Sequence, residues 1–514
     1  MARIVGALGA IATAAVAALT VAAPSGDDVA RAGQPQPRPN VVLIMTDDQT
    51  VGDMSVLPSV RRTIGSRGVT FRNSFSSYPL CCPSRATMLT GRYSHNHGVE
   101  SNRPPSGGYG RLDKANTLPV WLQRRGYTTA HIGKYLNGYT GGLPPGWTEW
   151  YGSVDPSTYR MWGYTLNENG TLRTYGSPAV EDPALYQTDV YRGKAVDFIR
   201  RRSGPGKPFY LSVAFLAPHS EARLGRPANG PSVRPAPRHK GRFVSKPLPR
   251  PGSFNELDVS DKPAYIRNQA PLLGPRRIAT ITRNFQARQE ALLSVDEAVQ
   301  QIVSTLRATG ELDNTYVVFT SDNGFFHGEH RVPNGKVLVY EPSSRVPLLI
   351  RGPGIRAGRT TREMAVNPDL AATALDVTGA KPSRSVDGRS LIPFAERPSR
   401  RTRRPVLHEI FRQGAGGDLE QDGTTPAQPR RRARARLPSY KAVRTSRWLW
   451  VEYSDRSREL YDLVRDPQQL RSRHADRRYR RTRAALRKEL ARLAKCKGRS
   501  CRRQAARIPG PTRR

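Results

Sequence analysis

The sequence predicts an α/β protein: a large mixed, mostly parallel sheet flanked by helices, followed by a smaller C-terminal α+β subdomain. Three observations carry this. Apolar runs such as "NVVLIM" (40–45) and "PFYLSVAFLAPHS" (208–220) are continuous rather than alternating, as in strands buried on both faces. Between such runs, Leu292, Val295, Val299, Ile302, Val303 and Leu306 repeat at helical spacing. After about residue 400 the pattern changes to short strand-like pieces and one basic helix. Strands alternating with helices require crossover connections, hence a parallel sheet.

Taken in order, Arg3 precedes an apolar run from Ile4 to Ala23, with small residues after it. Residues 1–23 therefore read as an export signal directing the chain to the exterior or the cell envelope. The run is long enough to serve as an uncleaved anchor, but its Ala, Val and Gly content favours removal. Residues 24–38 are a Pro/Gly/Asp-rich linker, 39–400 the main domain and 401–514 the C-terminal subdomain.

Within the main domain, 40–45 is a strand ending at "TDDQ", 118–127 a helix, and 128–139 a short strand entering a loop. The run at 208–220 is a strand with His219 just past its end, and 221–263 is a long Pro-rich, basic surface loop. The helix over 283–312 stops near Gly310. A strand over 316–320 runs into Ser321-Asp322-Asn323-Gly324, and 345–354 is a further strand. Residues 413–438 form an irregular insertion, 440–467 short antiparallel strands, and 477–495 a basic helix with Leu486, Leu490 and Leu493 on one face.

The chain has 514 residues, 37% hydrophobic and 8% aromatic, which excludes a disordered protein. Lys and Arg number 83 against 42 Asp and Glu, a net charge of +41. Solvated arginine-rich faces explain such an excess; so does attraction to a polyanion through the basic C-terminus. Of four cysteines, Cys496 and Cys501 are close enough to form a disulfide across a short loop, which export permits. Cys81 and Cys82 are adjacent, which disfavours a structural pair there, so stapling does not explain them.

Asp47, His219 and Asp322 each follow an apolar run, and reactive residues of a parallel sheet gather at the carboxyl ends of its strands. Asp47-Asp48 and Asp322-Asn323 are hard-oxygen clusters suited to Ca²⁺ or Mg²⁺ rather than zinc. Arg85, Lys134 and Lys336, with His219 as a proton donor, add the cations that a tetrahedral oxyanion would need.

The segment "CCPSRATMLTGR" contains C-x-P-S-R followed by L-T-G-R, and it resembles the signature of the type I, formylglycine-dependent sulfatases. "GYTTAHIGKY", "APHS", "SDNG", "GKVLVYEPSSRVPLLIRGPG" and "ELYDLVRDP" are similar to further family segments, in the family's order, over about 38–467. The resemblance implies an alkaline phosphatase-like fold. It also implies oxidation of Cys81 to formylglycine (3-oxoalanine) by a formylglycine-generating enzyme, with Cys82 at the variable position. The hydrated aldehyde would attack sulfur, the alcohol would leave, and the second hydroxyl would expel sulfate; a serine would be left as a stable sulfate ester. Carried over, the catalytic residues are Cys81, Arg85, Lys134, His219 and Lys336. The metal ligands are Asp47, Asp48, Cys81, Asp322 and Asn323, with Ca²⁺ as the family's ion. A helix start after Pro83 would also aim backbone N–H groups at the oxyanion.

"CCPSR", "GKYLNGY" and "RYSHNHGV" look most like the branch of N-acetylglucosamine-6-sulfatases and secreted bacterial arylsulfatases. The chain departs from that pattern at Leu136 and Phe326, where histidines are common, with His327 next along. The substrate is expected to be a sulfated small molecule or glycan, with no nucleic acid partner. A phosphonate monoester or phosphodiester hydrolase of the same fold is the rival reading, and a non-catalytic polyanion-binding protein a more distant one. His95 and His97 either face the substrate or hydrogen-bond their loop; His330, Glu329 and Glu341 are expected to be structural.

Overall fold

The computed structural model describes residues 1, 38–204, 206, 208–222, 230–269, 271–411 and 437–512. The described residues from Arg38 onward belong to one compact unit. The expected signal, nearly all of the linker and most of the 413–438 insertion lie outside the described residues. Among the described residues, no helix is long and apolar enough to cross a membrane.

Ten strands form the main sheet: β1 (Asn40–Thr46), β2 (Val69–Phe75), β3 (Thr128–Gly133), β4 (Glu149–Ser153), β5 (Tyr164–Glu168), β6 (Thr171–Tyr175), β7 (Phe209–Ala214), β8 (Thr315–Ser321), β9 (Leu348–Arg351) and β10 (Arg359–Val366). Their order is β10-β2-β9-β8-β1-β7-β3-β4-β5-β6. The central block β8-β1-β7-β3-β4 is parallel throughout, while β9, β5 and β6 run antiparallel to their neighbours. The sheet is thus mixed and mostly parallel.

The central strands read as continuous apolar runs because both faces are covered. Val42 and Ile44 of β1 join the core beneath α3 (Gln187–Arg202) and α4 (Pro275–Ala308). Val41 and Met45 point the other way, into clusters shared with α1 (Cys81–Thr90), α2 (Leu118–Arg124) and α5 (Pro368–Thr378). The helix read over 283–312 instead spans Pro275–Ala308. Its added first turns are basic and carry little apolar stripe; Ile281 and Phe285 anchor them against Leu248. The 221–263 segment is not simply a surface loop, since Ser232, Val233 and Arg234 are buried and Arg234 pairs with Glu221 at 2.9 Å.

Beyond residue 400, β11 (Val406–Ile410), β12 (Tyr440–Arg444), β13 (Trp448–Tyr453) and β14 (Arg458–Asp462) make a four-stranded antiparallel sheet. The amphipathic α6 (Arg480–Leu493) lays Leu486, Leu490 and Leu493 against Trp448, Trp450 and Tyr479. Ahead of β11, Arg404 forms a bidentate ion pair with Asp369 in the first turn of α5, and both side chains are fully buried. Arg404→Met should strand that carboxylate and destabilise the fold by ~3–5 kcal/mol, with much of the loss recovered on adding Asp369→Asn. Urea unfolding measures it; a shift of less than about 1 kcal/mol would mean the pair is not the pin described here.

Candidate active site

Four adjacent parallel strands, β8-β1-β7-β3, finish on one edge of the sheet, and each is followed by a residue singled out in the sequence. Thr46 is level with Ser321, so Asp47 and Asp322 leave the sheet side by side, and the Asp322 N–H donates to the Thr46 carbonyl at 3.2 Å. Gly133 is level with Ala214, and the next N–H, that of Lys134, donates to the Ala214 carbonyl at 3.0 Å. At Gly133 φ is +103°, and an added Cβ would fall 2.2 Å from that same carbonyl oxygen. Glycine is therefore required where β3 turns Lys134 into the cluster.

The fifth contribution comes from α1. The helix begins at Cys81 itself, with Leu80 as its cap, three residues earlier than a start after Pro83. Proline is tolerated as the third helical residue because the first N–H groups of a helix have no intrahelical partner. The Cys82 N–H donates to Asn102 Oδ1 at 2.9 Å and the Ser84 N–H to the Leu80 carbonyl at 3.0 Å. Those amides are spent, so α1 offers an anion the positive end of its dipole rather than a row of N–H donors at 82–84.

Around the fully buried Cys81, charges alternate closely. Lys336 Nζ donates to Cys81 Sγ at 2.8 Å and lies 2.6 Å from Asp48 Oδ1. Lys134 Nζ is 3.4 Å from the same sulfur and 2.5 Å from Asp47 Oδ2. Arg85 bridges two strand ends, with Nε on Asp322 Oδ2 at 2.8 Å and Nη2 on Asp47 Oδ2 at 3.0 Å. Its Nη1 donates to the Lys134 carbonyl at 2.6 Å. Burial alone would push the Asp47 carboxyl up, but Lys134, His219, Arg85 and Lys336 together hold it well below the usual range. Asp322 moves the opposite way, raised by burial and by the neighbouring Asp47 against the pull of Arg85. Lys134 is held in its ammonium form: burial opposes it, and Asp47 outweighs the burial.

His219 Nδ1 lies 2.7 Å from the Ser220 carbonyl, an acceptor, so Nδ1 carries the proton and Nε2 faces Asp48 Oδ2 at 3.7 Å. Ligand atoms of Asp47, Asp48, Cys81 and His219 all lie within 4.8 Å of one another, close enough that they could hold a metal ion between them. Asn323 donates to Asp48 Oδ1 at 2.6 Å, but its own Oδ1 is buried without a hydrogen-bond partner. An orphaned buried oxygen beside two carboxylates is what a hard divalent cation would satisfy. Asp322 belongs to the same cluster, although Arg85 and the N–H groups of Asp48 and Asn323 already engage its oxygens.

Other side chains have scaffold roles. His97 lies 3.0 Å from Thr87 Oγ1 and accepts from the Val99 N–H; burial pushes its ring down to about 3. His95 bridges Glu409 and the Cys496 carbonyl at 2.9 Å each. His330 binds Glu256 at 2.7 Å and packs on Tyr340, Glu329 accepts from the His327 N–H, and Glu341 pairs with Arg444. Leu136 and Phe326 are buried in apolar clusters, and His327 sits between the rings of Phe285 and Phe325. Cys496 and Cys501 are joined, with Cα atoms 5.0 Å apart. Two contributors escaped the sequence reading. The Tyr159 ring lies 4.5 Å from Lys134 Nζ and 5.1 Å from the His219 ring; Arg288 donates to the Asp48 carbonyl at 2.7 Å. Neither sits in a motif.

The family model described as Sulfatase matches residues 39–380. An arylsulfatase of Volvox carteri is 35% identical over 508 residues, covering 90% of this chain and 76% of its own. An N-acetylglucosamine-6-sulfatase of Homo sapiens is 36% identical over 464 residues, covering 84% and 80%. A solved protein in complex with its substrate D-glucosamine-2-N,6-O-disulfate superposes with a TM-score of 0.73 at 25% identity, covering 89% of this chain and 98% of its own.

Cys82 is fully buried and its thiol is pushed up to about 12 by that burial. At pH 8 roughly one molecule in ten thousand would hold it as thiolate. Iodoacetamide should therefore leave Cys82 unmodified in the native protein and label it on unfolding. Peptide mapping reads the difference, and native labelling at a free thiol's rate would contradict this environment.

Proposed function

The chain belongs to the sulfatase family, and we propose that position 81 is where it cleaves sulfate esters. As a family member it is a sulfuric ester hydrolase; the proposal concerns the chemistry and the substrate. What supports it most is the convergence of two ammonium groups, Lys134 and Lys336, on the Cys81 sulfur beside carboxylates and an unsatisfied amide oxygen.

Formylglycine at position 81, made by a formylglycine-generating enzyme, would supply a hydrated aldehyde as nucleophile. Asp47, Asp48, Asp322 and Asn323, together with residue 81, would hold a divalent cation, Ca²⁺ or Mg²⁺, which supplies charge neutralisation at the sulfuryl oxygens. The remaining work falls to this chain's fixed groups. Lys134 and Lys336 approach residue 81 with two positive charges in a buried setting, where such charges count for more than in water. Arg85 bridges Asp47 and Asp322 and so sets the distance between the two strand ends beside residue 81. His219, with Nδ1–H donated to the Ser220 carbonyl and Nε2 3.7 Å from Asp48 Oδ2, would carry the proton that a departing alkoxide needs.

The substrate class we infer is an aryl sulfate or a glucosamine-6-sulfate-like ester, following the relatives' names. Export through residues 1–23 would place the enzyme where sulfated glycans occur. A phosphonate monoester hydrolase of Agrobacterium radiobacter shares the fold at a TM-score of 0.66 and 22% identity, which is a likeness of fold alone. Parallel rates on aryl sulfate and aryl phosphonate esters separate the two chemistries.

Mass spectrometry of the peptide spanning 77–92 from active protein should find an aldehyde at position 81 and a thiol at position 82. Fully active material carrying a thiol at both would end the proposal. Cys81→Ala should abolish turnover while Cys82→Ala keeps it. Lys134→Ala and Lys336→Ala should each lower kcat by ~10²–10³, measured with an aryl sulfate. Chelation of divalent cations should silence the enzyme and readdition of Ca²⁺ or Mg²⁺ restore it; activity indifferent to chelators would remove the ion from the scheme.

A further inference from the structure

At the end of α1 remote from Cys81, Arg92, Arg384, Ser385 and Lys497 line an open cleft of about 300 Å³. Arg92 follows the helix cap Gly91, and at 1.5 Å per residue it lies roughly 15 Å along the helix from position 81. No acidic residue lines the space. Among the described residues, neither Arg92 nor Lys497 has a carboxylate within ion-pair distance, and Arg92 Nε is buried with no hydrogen-bond partner. Arg384 pairs with Asp113 at 2.8 Å, both half-exposed, so its charge is only partly met.

The cleft is a built feature rather than a chance meeting of surface side chains. Lys497 sits inside the short loop closed by Cys496–Cys501. That loop is fastened to the segment after α1: the Cys496 carbonyl accepts from Asn96 Nδ2 at 2.8 Å and lies 2.9 Å from the His95 ring. Arg502 donates to the Val386 carbonyl at 2.5 Å, next to Ser385. Asp387 completes the corner; it is buried and spends its oxygens on the N–H groups of Tyr93 and Gly498 and on Asn96. The disulfide loop, the 384–387 turn and the start of 92–96 are therefore locked together, with three cationic side chains and one hydroxyl turned to a common space.

Here three cations share one space while a single half-exposed ion pair, Arg384–Asp113, and the electrostatic pull of the buried Asp387 on Arg92 meet only part of their charge. Such an excess favours a ligand with several acceptor oxygens, and guanidinium forks match tetrahedral oxyanions particularly well. We propose that this cleft is a second oxyanion site, which grips a sulfate group of a sulfated saccharide chain at a distance from the ester being cleaved. The choice of a saccharide rests on the function proposed above; it narrows the attraction of the basic C-terminus for polyanions to one place. Inorganic sulfate offers the same oxyanion chemistry, and the experiment distinguishes the two.

Full-length mature protein is titrated calorimetrically with a sulfated hexasaccharide at physiological salt. The pair Arg384→Ser/Lys497→Ser is compared with a charge-matched control, Arg200→Ser/Arg397→Ser, at exposed positions elsewhere. The expected result is about tenfold weaker binding in the cleft pair, equivalent to about 1.4 kcal/mol, and little change in the control. Turnover of a small aryl sulfate should be equal in all three proteins. Equal losses in cleft and control pairs would reduce the effect to general charge and overturn the site, as would no loss in either. Calorimetric binding of sodium sulfate that depends on the cleft, with hexasaccharide binding unaffected by its loss, would assign the site to the free ion and overturn the saccharide assignment. Absent aryl sulfate turnover in the unmodified protein would count against the catalytic proposal alone, since the binding comparison stands without it.

Discussion

Three carboxylates, Asp47, Asp48 and Asp322, are buried within reach of one another, and everything else at the sheet edge answers the cost of putting them there. Burying one unpaired carboxylate costs several kcal/mol, and burying three together adds mutual repulsion. Arg85, Lys134 and Lys336 meet that cost one for one, each within 3.0 Å of a carboxylate oxygen. The opposite displacements of Asp47 and Asp322 show how uneven the compensation is. Asp47 has Lys134, Arg85 and His219 around it, whereas Asp322 depends on Arg85 while feeling both other acids. A stable hydrophobic core alone would have no use for such an arrangement. A balanced set of fixed charges would need little rearrangement when an anion arrives.

The sheet makes the arrangement possible. Parallel strands deliver successive chain ends to the same edge, and the order β8-β1-β7-β3 places four of them side by side although they are far apart in sequence. The N–H groups that follow β3 and β8 continue the ladder for one more step, to Ala214 and Thr46. That step fixes where Lys134 and Asp322 leave the sheet. The register therefore sets the distances between the charged groups, and a slip of one residue would turn each of these side chains to the opposite face.

Most of this was legible from local pattern. The apolar runs at 40–45 and 316–320 became β1 and β8, and the Leu486-Leu490-Leu493 stripe packs as its spacing requires. Where sequence reading failed, the deciding contact lay elsewhere in the chain. The first turns of α4 look polar until Ile281 and Phe285 meet Leu248. Pro83 reads as a helix start, yet a proline at the third position loses no hydrogen bond, so it does not mark the boundary. His95 could not be assigned because its partners, Glu409 and Cys496, are more than 300 positions away. Tyr159 touches both Lys134 and His219 from a loop with no periodicity and no motif.

The same contrast separates reaction class from substrate. The charged groups around position 81 follow the ends of β1, β3 and β8 or lie on α1, with Lys336 in the segment between β8 and β9. Leu136 and Phe326, the positions at which the resemblance leads one to expect histidine, are both packed into apolar clusters. They cannot move a proton. Among the described residues His219 is the imidazole within the carboxylate cluster, and its tautomer is set by the Ser220 carbonyl rather than by any acid. On the function proposed, proton delivery would fall to that one ring, against which Tyr159 packs.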